Sequence, residues 1–423
     1  MYRLFLLVLT LLTTQTLPAQ WQPGSIYAEH HWVTPEDDEA FLRVGGRYGY
    51  QQQPDKFPAE LRRGDRLLWP DSIDLTDATR AEVVLEKVQS HEDSRNLRIA
   101  INGYAPLSVP EPTAVPEPQN EYMFHTDVRV DVPLEQLHGG YGNAFALTLD
   151  TTQRWNWPQN VFYAVTLRIY YPATDRLPVV DYAHDRVPEV SYVRASAPNF
   201  EPIRADYVYT GTDADWSGRG TQNRTHWQTF RGQPHHTVGS SADAAAKFPV
   251  RWDAAWLPEP QTPANLQVRL LGRDGKYRVS APRELTGLAE RPYTVRVYGG
   301  EAPRNWVTRS GEFEQELMVT DSVRTATAFQ LNWVSWSPCY SNGVFLNGHL
   351  VWDRTDDCYV FATHSPVRSG HDVRMLQQGR NVVSTALTPL FRGQMVHGME
   401  VQWPGMQLKV RYGAAPIGTA TGH

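Results

Sequence analysis

Alternation of apolar and polar positions with a period of two dominates the chain, and helical periodicity is almost absent. Two short stretches, around Pro35 to Arg43 and Ser241 to Lys247, have some helical character, but neither is long or clearly amphipathic. Ala81 to Val88 reads as a strand. Leu97, Ile99 and Ile101 share one face of the next, which ends at the turn Asn102-Gly103. Val128, Val130 and Val132 form another period-two run, and Phe145, Leu147 and Leu149 a third. Phe162, Val165, Leu167 and Ile169 lie on a long strand with a slip of one residue, which predicts a bulge. The proline-rich insert Pro106 to Pro118 lacks ladder donors and reads as an exposed, extended loop rather than sheet.

The texture changes from Pro188 onward. Tyr207 to Tyr209, Phe248 to Trp252, Leu266 to Leu271, Lys276 to Ser280 and Tyr293 to Tyr298 are spaced as in a small antiparallel sandwich. Its Trp252 and Trp256 read as packing residues rather than ligand platforms. A third unit has candidate strands at Phe313 to Val319, Thr327 to Val334, Val344 to Leu346 and Val351-Trp352. Asn381 to Thr388 and Met399 to Tyr412 complete it. The pattern predicts an all-β, multidomain protein.

Composition agrees with this and narrows the partners. The 423 residues suggest two or three domains at about 150 residues each. With 31 Pro and 30 Gly beside 14 Trp, 20 Tyr and 14 Phe, large aromatics pack between many turns. The net charge of −6, with no block of Lys or Arg, argues against a nucleic-acid partner and against a polybasic membrane tether. Arg3, the apolar run Leu4 to Leu12 and Leu17-Pro18-Ala19 read as a secretory leader cleaved after Ala19. That run is too short to span a bilayer, and no later window supplies about 20 apolar residues, so no transmembrane anchor is expected. The expected location is secreted or at the cell surface. The expected layout is a leader (1–19), an N-terminal unit (20–180), a spacer (188–300), a C-terminal unit (301–413) and a flexible tail (414–423).

The outer units carry the same cues in the same order. The first has Leu97 to Asn102-Gly103, then Gly142-Asn143, Trp157-Pro158 and Leu167 to Tyr170. The second has Val344 to Asn347-Gly348, then Gly379-Arg380-Asn381, Trp403-Pro404 and Leu408 to Tyr412. Asn-Gly makes a tight turn because Gly accepts a positive φ and Asn tolerates it. Chance sharing of turns between two β-rich units is the alternative. The pattern resembles the galactose-binding-like jelly-roll domains of secreted carbohydrate-active proteins, in which an apolar residue and Asn-Gly are followed by an L-x-x-G-x-N turn. Leu376 to Asn381 fits that turn, whereas Leu137 to Asn143 carries one extra residue. The middle unit resembles Ig-like or fibronectin-like spacers. The resemblance implies two jelly-roll-like β-sandwiches separated by an Ig-like β-sandwich, and it does not identify a ligand.

Candidate chemistry is sparse. Cys339 and Cys358 are the only cysteines; in an exported chain they predict a disulfide, with two buried thiols as the alternative. The adjacent pairs His30-His31 and His235-His236 would point to opposite strand faces, and His364, His371 and His397 could meet only through folding. Asp213 and Asp215 have part of a calcium-loop texture, but Arg224 stands where an EF-hand needs an acid. No cofactor is required; a structural Ca2+ at Asp213 and Asp215 is one metal alternative, and a distributed site using His364, His371 or His397 is another. Glu400 and Asp353 are the acids a glycosidase reading would use. Trp155, Trp157, Trp352, His397 and Trp403 are candidates for stacking on and hydrogen-bonding sugar rings. Asn223-Arg224-Thr225 fits an N-glycosylation acceptor.

These readings favour a non-catalytic secreted or cell-surface binding protein for polysaccharide or an extracellular protein surface. A carbohydrate-active hydrolase or lyase is one alternative. A structural subunit of an extracellular assembly, formed by self-association, is another.

Overall fold

The computed structural model describes residues 22–34, 42–44, 62–63, 66–89, 94–110, 124–151, 160–211, 213, 228–235, 238–259, 264–299, 312–336, 338–356, 358, 361–395 and 400–413. These residues form antiparallel sheets with only four short 3-10 helices, the longest being Gly370–Met375. Ser241–Lys247, expected to have helical character, closes as a turn after the strand Gly239–Ser241. No helix among the described residues is long and apolar enough to cross a membrane.

Among the described residues, three large hydrophobic cores and a smaller cluster of Tyr27, Tyr170, Val208, Tyr277 and Val279 organise a multidomain series of β-sandwiches. In the first, Val83, Leu85, Leu167 and Ile169 from one sheet face Ile99, Ile101, Phe145 and Leu147 from the other, with Trp32 and Trp69 buried among them. The predicted slip is present: the register of Asn160–Tyr171 against Arg80–Gln89 shifts between Phe162 and Ala164. The proline-rich insert departs from expectation at its start, where Leu107–Ser108 pairs with Arg98 and Ile99 at a sheet edge. An edge strand tolerates prolines beside it because one of its sides needs no ladder donors.

The second core gathers Val193, Ala205, Tyr207, Leu266, Val268, Leu270 and Trp252. Trp252 is buried there, as its packing role predicted. The third gathers Leu317, Phe329, Leu331, Trp333, Leu346, Val383, Leu408 and Val410. Tyr293–Tyr298, expected in the middle sandwich, instead pairs along Glu400–Gly413 and belongs to a sheet of the third core.

The repeated cues fold into matching hydrogen-bonded latches. Asn102 Nδ2 donates to Asn143 Oδ1 (2.8 Å) and to Gln136 O (2.8 Å), while Asn102 Oδ1 accepts from Ala144 N (2.8 Å). Asn347 repeats the arrangement with Asn381 Oδ1 (2.8 Å), Met375 O (2.8 Å) and Val382 N (2.9 Å). Both turns have left-handed backbone at Asn and Gly, with φ of 49° and 84° in the first and 50° and 79° in the second. Asn143 and Asn381 are fully buried, so each fills its polar valence inside the latch.

The first two cores share a sheet. Ile26–Val33 pairs with Asn160–Tyr171 on one side and, through Ile26 to Ala28, with Lys276 to Arg278 on the other, joining both sandwiches in one ten-stranded sheet. Between the second and third cores, Lys409 pairs with Asp213. The Arg411 guanidinium lies 4.6 Å over Trp256 and 4.4 Å over Tyr293 and donates to Ala255 O (3.2 Å).

Candidate functional site

Among the described residues, an aromatic cluster that reaches the surface lies at one end of the third core. Trp333 and Ser335 are alternate residues of Ala326–Trp336, so both face inward. The strand Phe361–His364 pairs with this one and sets His364 directly opposite Trp333. Their rings therefore stack, with centroids 4.7 Å apart and planes at 22°. Trp352, from the opposing sheet, closes the cluster with its ring centre 5.5 Å from Trp333 and 4.7 Å from His364. Trp333 is buried, whereas Trp352 and His364 are only half-buried. Two aromatic neighbours fix the Trp352 indole while leaving part of it open to solvent.

The disulfide Cys339–Cys358 forms as expected and borders this end. Cys339 follows the strand Ala326–Trp336, and Cys358 lies in the loop between Trp352 and Phe361. The bridge ties down the loop carrying Asp353 and Asp356, both exposed. Asp353 follows Trp352 in sequence, and its Oδ1 accepts from Arg354 N (2.8 Å).

Ser335 Oγ lies 2.8 Å from His364 Nε2. The pair has the partners of a nucleophile and base but not their properties. Burial lowers the His364 imidazole to about 4, so near neutral pH it is a weak base. Ser335 is itself buried. The contact satisfies both polar groups within an aromatic cluster.

The register sets Glu400 opposite Trp336 and Val401 opposite Ser335, bringing that strand to the same end of the sheet. The side chains of Glu400 and Trp403 lie outside the described residues, as do Trp155, Trp157, His397 and Asp215 entirely. Asp213 is bound to Lys409. His30 and His31 do face opposite ways: His30 is buried near Asp71 (3.6 Å), while His31 Nδ1 meets Thr166 Oγ1 (2.9 Å) on the other face. Among the described residues, no three His, Cys, Asp or Glu side chains gather as a metal site.

A row of buried charges crosses the shared sheet, and sequence reading did not single it out. Arg168 donates to Glu29 (2.7 Å) and Glu82 (3.3 Å), and Arg269 donates to Glu29 (3.2 Å) and Asp206 (2.9 Å). Burial alone would raise Glu29, but Arg269 and Arg168 hold its carboxyl well below the usual range. Nearby, Glu86 accepts from the backbone N–H groups of Arg231 (2.6 Å) and Gly232 (3.1 Å) at the tip of the hairpin Gln228–His235. Asp127, its cross-strand neighbour, accepts from Thr229 Oγ1 (2.9 Å). Burial and the Asp127 charge push Glu86 up to about 8. The carboxylates dock a hairpin and hold a sheet junction together, so their acceptor sites are occupied by the protein. The only sequence signal was charge at alternate strand positions, which reads equally well as a solvated face.

No family model matches the chain, and no curated protein matches it. Among solved structures, two of BuGH86 in complex with neoagarooctaose, one a substituted form and one wild type, are similar at 9% and 8% identity. Their TM-scores are 0.22 and 0.23; they cover 57% and 63% of this chain and 35% and 40% of their own. A β-porphyranase of glycoside hydrolase family 86 from the human gut bacterium Bacteroides plebeius is similar at 9% identity and a TM-score of 0.21, over 63% of this chain and 43% of its own. The chain therefore spans well under half the length of each. Likenesses at these scores assign neither a family nor an activity to this chain, whose established description is an all-β, multidomain, disulfide-bonded protein.

Proposed function

We propose that this chain is a non-catalytic, exported carbohydrate-binding protein. In this reading, two galactose-binding-like jelly rolls (20–180 and 301–413) flank an Ig-like spacer (188–300) that lends Tyr293–Tyr298 to the third sheet. The observation that carries it is the partly exposed Trp352 indole, held by Trp333 and His364 beside a disulfide-anchored loop with exposed Asp353 and Asp356. A fixed flat indole covers the apolar face of a sugar ring without losing rotamer freedom on binding, and adjacent carboxylates accept from hydroxyl groups. The matching Asn latches support the jelly-roll assignment, because two units share a side-chain network and not merely a turn type. Acid–base hydrolysis has less support. The described acids raised by burial, Glu86 and Asp127, bind the hairpin, and His364 is too weak a base near neutral pH.

Affinity electrophoresis of the full chain through gels containing chemically diverse polysaccharides tests the reading. Trp352→Ala should weaken retardation by at least about tenfold, the loss of one well-placed aromatic contact. Migration unaffected by every polysaccharide would end the carbohydrate assignment.

A further inference from the structure

The first unit presents a second aromatic surface at its own latch. Tyr104 and Tyr141 are 51% and 74% exposed, an unusual position for two large rings on turns whose neighbouring Asn143 is fully buried. Tyr104 N donates to Ile101 O (2.8 Å), closing the Asn102-Gly103 turn. Tyr141 follows Gly140, whose N–H and C=O exchange hydrogen bonds of 2.9 and 3.0 Å with Ile73. The two turns are joined by the Asn102–Asn143 bond (2.8 Å). Each tyrosine is two residues from its latch asparagine, so its Cα lies within about 7 Å of that residue along the chain. The third unit has Arg380 at the matching Gly-x-Asn turn, and the extra residue of the first unit falls in the segment that carries Tyr141.

A cation borders the same edge. The Arg66 guanidinium packs over the backbone of Gly103: a Cβ there would stand 2.8 Å from Arg66 Nη2. Glycine at this position thus allows both the left-handed turn and the approach of Arg66. Arg66 is exposed, with no carboxylate partner among the described residues. Glu135, on the 3-10 turn next to Gln136, is exposed and would oppose an anion on that side, which places the favourable charge toward Arg66.

We propose that Tyr104, Tyr141 and Arg66 form a second carbohydrate site, selective for a polysaccharide bearing anionic groups, either uronate carboxylates or sulfate esters. The tyrosine rings stack on sugar faces, and the guanidinium pairs with the anion through its planar fork of donors. The site rests on the binding function proposed above but on different residues in a different unit. Joined in one chain, the two sites would engage one polysaccharide long enough to span them with avidity beyond either alone.

The test is affinity electrophoresis of the full chain at about 0.1 M salt, where charges more than about 10 Å apart are screened. Parallel gels contain polygalacturonate, carrageenan or neutral dextran. Retardation should be stronger in at least one anionic gel than in dextran; the gel that retards identifies carboxylate or sulfate as the recognised group. The double substitution Tyr104→Ala/Tyr141→Ala should weaken that retardation by at least about tenfold. Arg66→Gln should reduce the preference for the anionic gel over dextran, with an unchanged melting temperature confirming the fold. Absence of retardation in both anionic gels overturns the proposal, as does wild-type retardation by the folded double variant. If Trp352→Ala abolishes retardation while the tyrosine variant retains it, the third-unit site stands and this one falls.

Discussion

Glu86 accepts two backbone N–H groups from the hairpin Gln228–His235 at a position where burial and Asp127 push its carboxyl up to about 8. In the unfolded chain the same carboxyl titrates at about 4.3. Between those values the folded protein retains a proton that the unfolded chain has released. Its contribution therefore makes stability fall as pH rises from about 4.3 to about 8, then level off. Glu29 and Glu82 act in the opposite sense: arginines hold both below the ordinary range, and their contribution is lost as pH falls below the unfolded value. Glu86→Gln should flatten the decline on the alkaline side without affecting the acid limb, which melting curves from pH 5 to 9 would reveal. Sequence reading missed these residues because a charge at an alternate strand position looks the same whether the next layer is water or another part of the chain. Trp252 was legible as core because a large apolar side chain among period-two strands has few other places to go.

The Asn–Asn latch acts at the scale of the element. Asn381 accepts from Asn347 Nδ2 (2.8 Å) and Gln377 N (2.9 Å) and donates to Gln377 O (2.7 Å). It thereby joins the end of Ser341–Leu346 to the start of its sheet neighbour Gly379–Leu387. Asn381→Ala would leave several buried polar groups unpaired and should cost about 2–4 kcal/mol, measured by urea unfolding. The turn residues were legible because Asn-Gly and Gly-x-Asn encode local backbone geometry. The bulge in Asn160–Tyr171 was legible for a similar reason, since a break in alternation is written within one strand. The partner of Tyr293–Tyr298 was not. Six alternating residues show that a strand has two faces but not which neighbour its edges will meet, and its neighbour lies at the far end of the third unit.

At the scale of the whole molecule, the shared sheet makes the first two sandwiches mechanically continuous. Arg269 is the centre of that junction, since it donates to Glu29 of the first sandwich and Asp206 of the second. Arg269→Met should remove one of the two arginines that each of these buried acids holds, leaving Arg168 on Glu29 and Arg204 on Asp206, and cost about 3–5 kcal/mol. Because the ladder between Ile26–Ala28 and Lys276–Arg278 spans both cores, the loss should lower the unfolding of both together. Differential scanning calorimetry would show one combined transition shifting while the transition of the third core stays in place. A shift confined to one of the first two cores would contradict this coupling.

Period-two alternation, turn residues and two cysteines determined by themselves that the chain is a multidomain β-protein with repeated outer turns and a disulfide. These features are local, or need only a shared unit and an oxidising environment. Tertiary structure alone decided that Trp352 meets Trp333 and His364, that Tyr104 and Tyr141 face solvent at a common latch, and that Glu29, Arg168 and Arg269 are buried together. Exposure and charge pairing depend on which strands become neighbours, and that choice is made by contacts between residues far apart in sequence, 41 positions in the latch and up to 240 in the charge row.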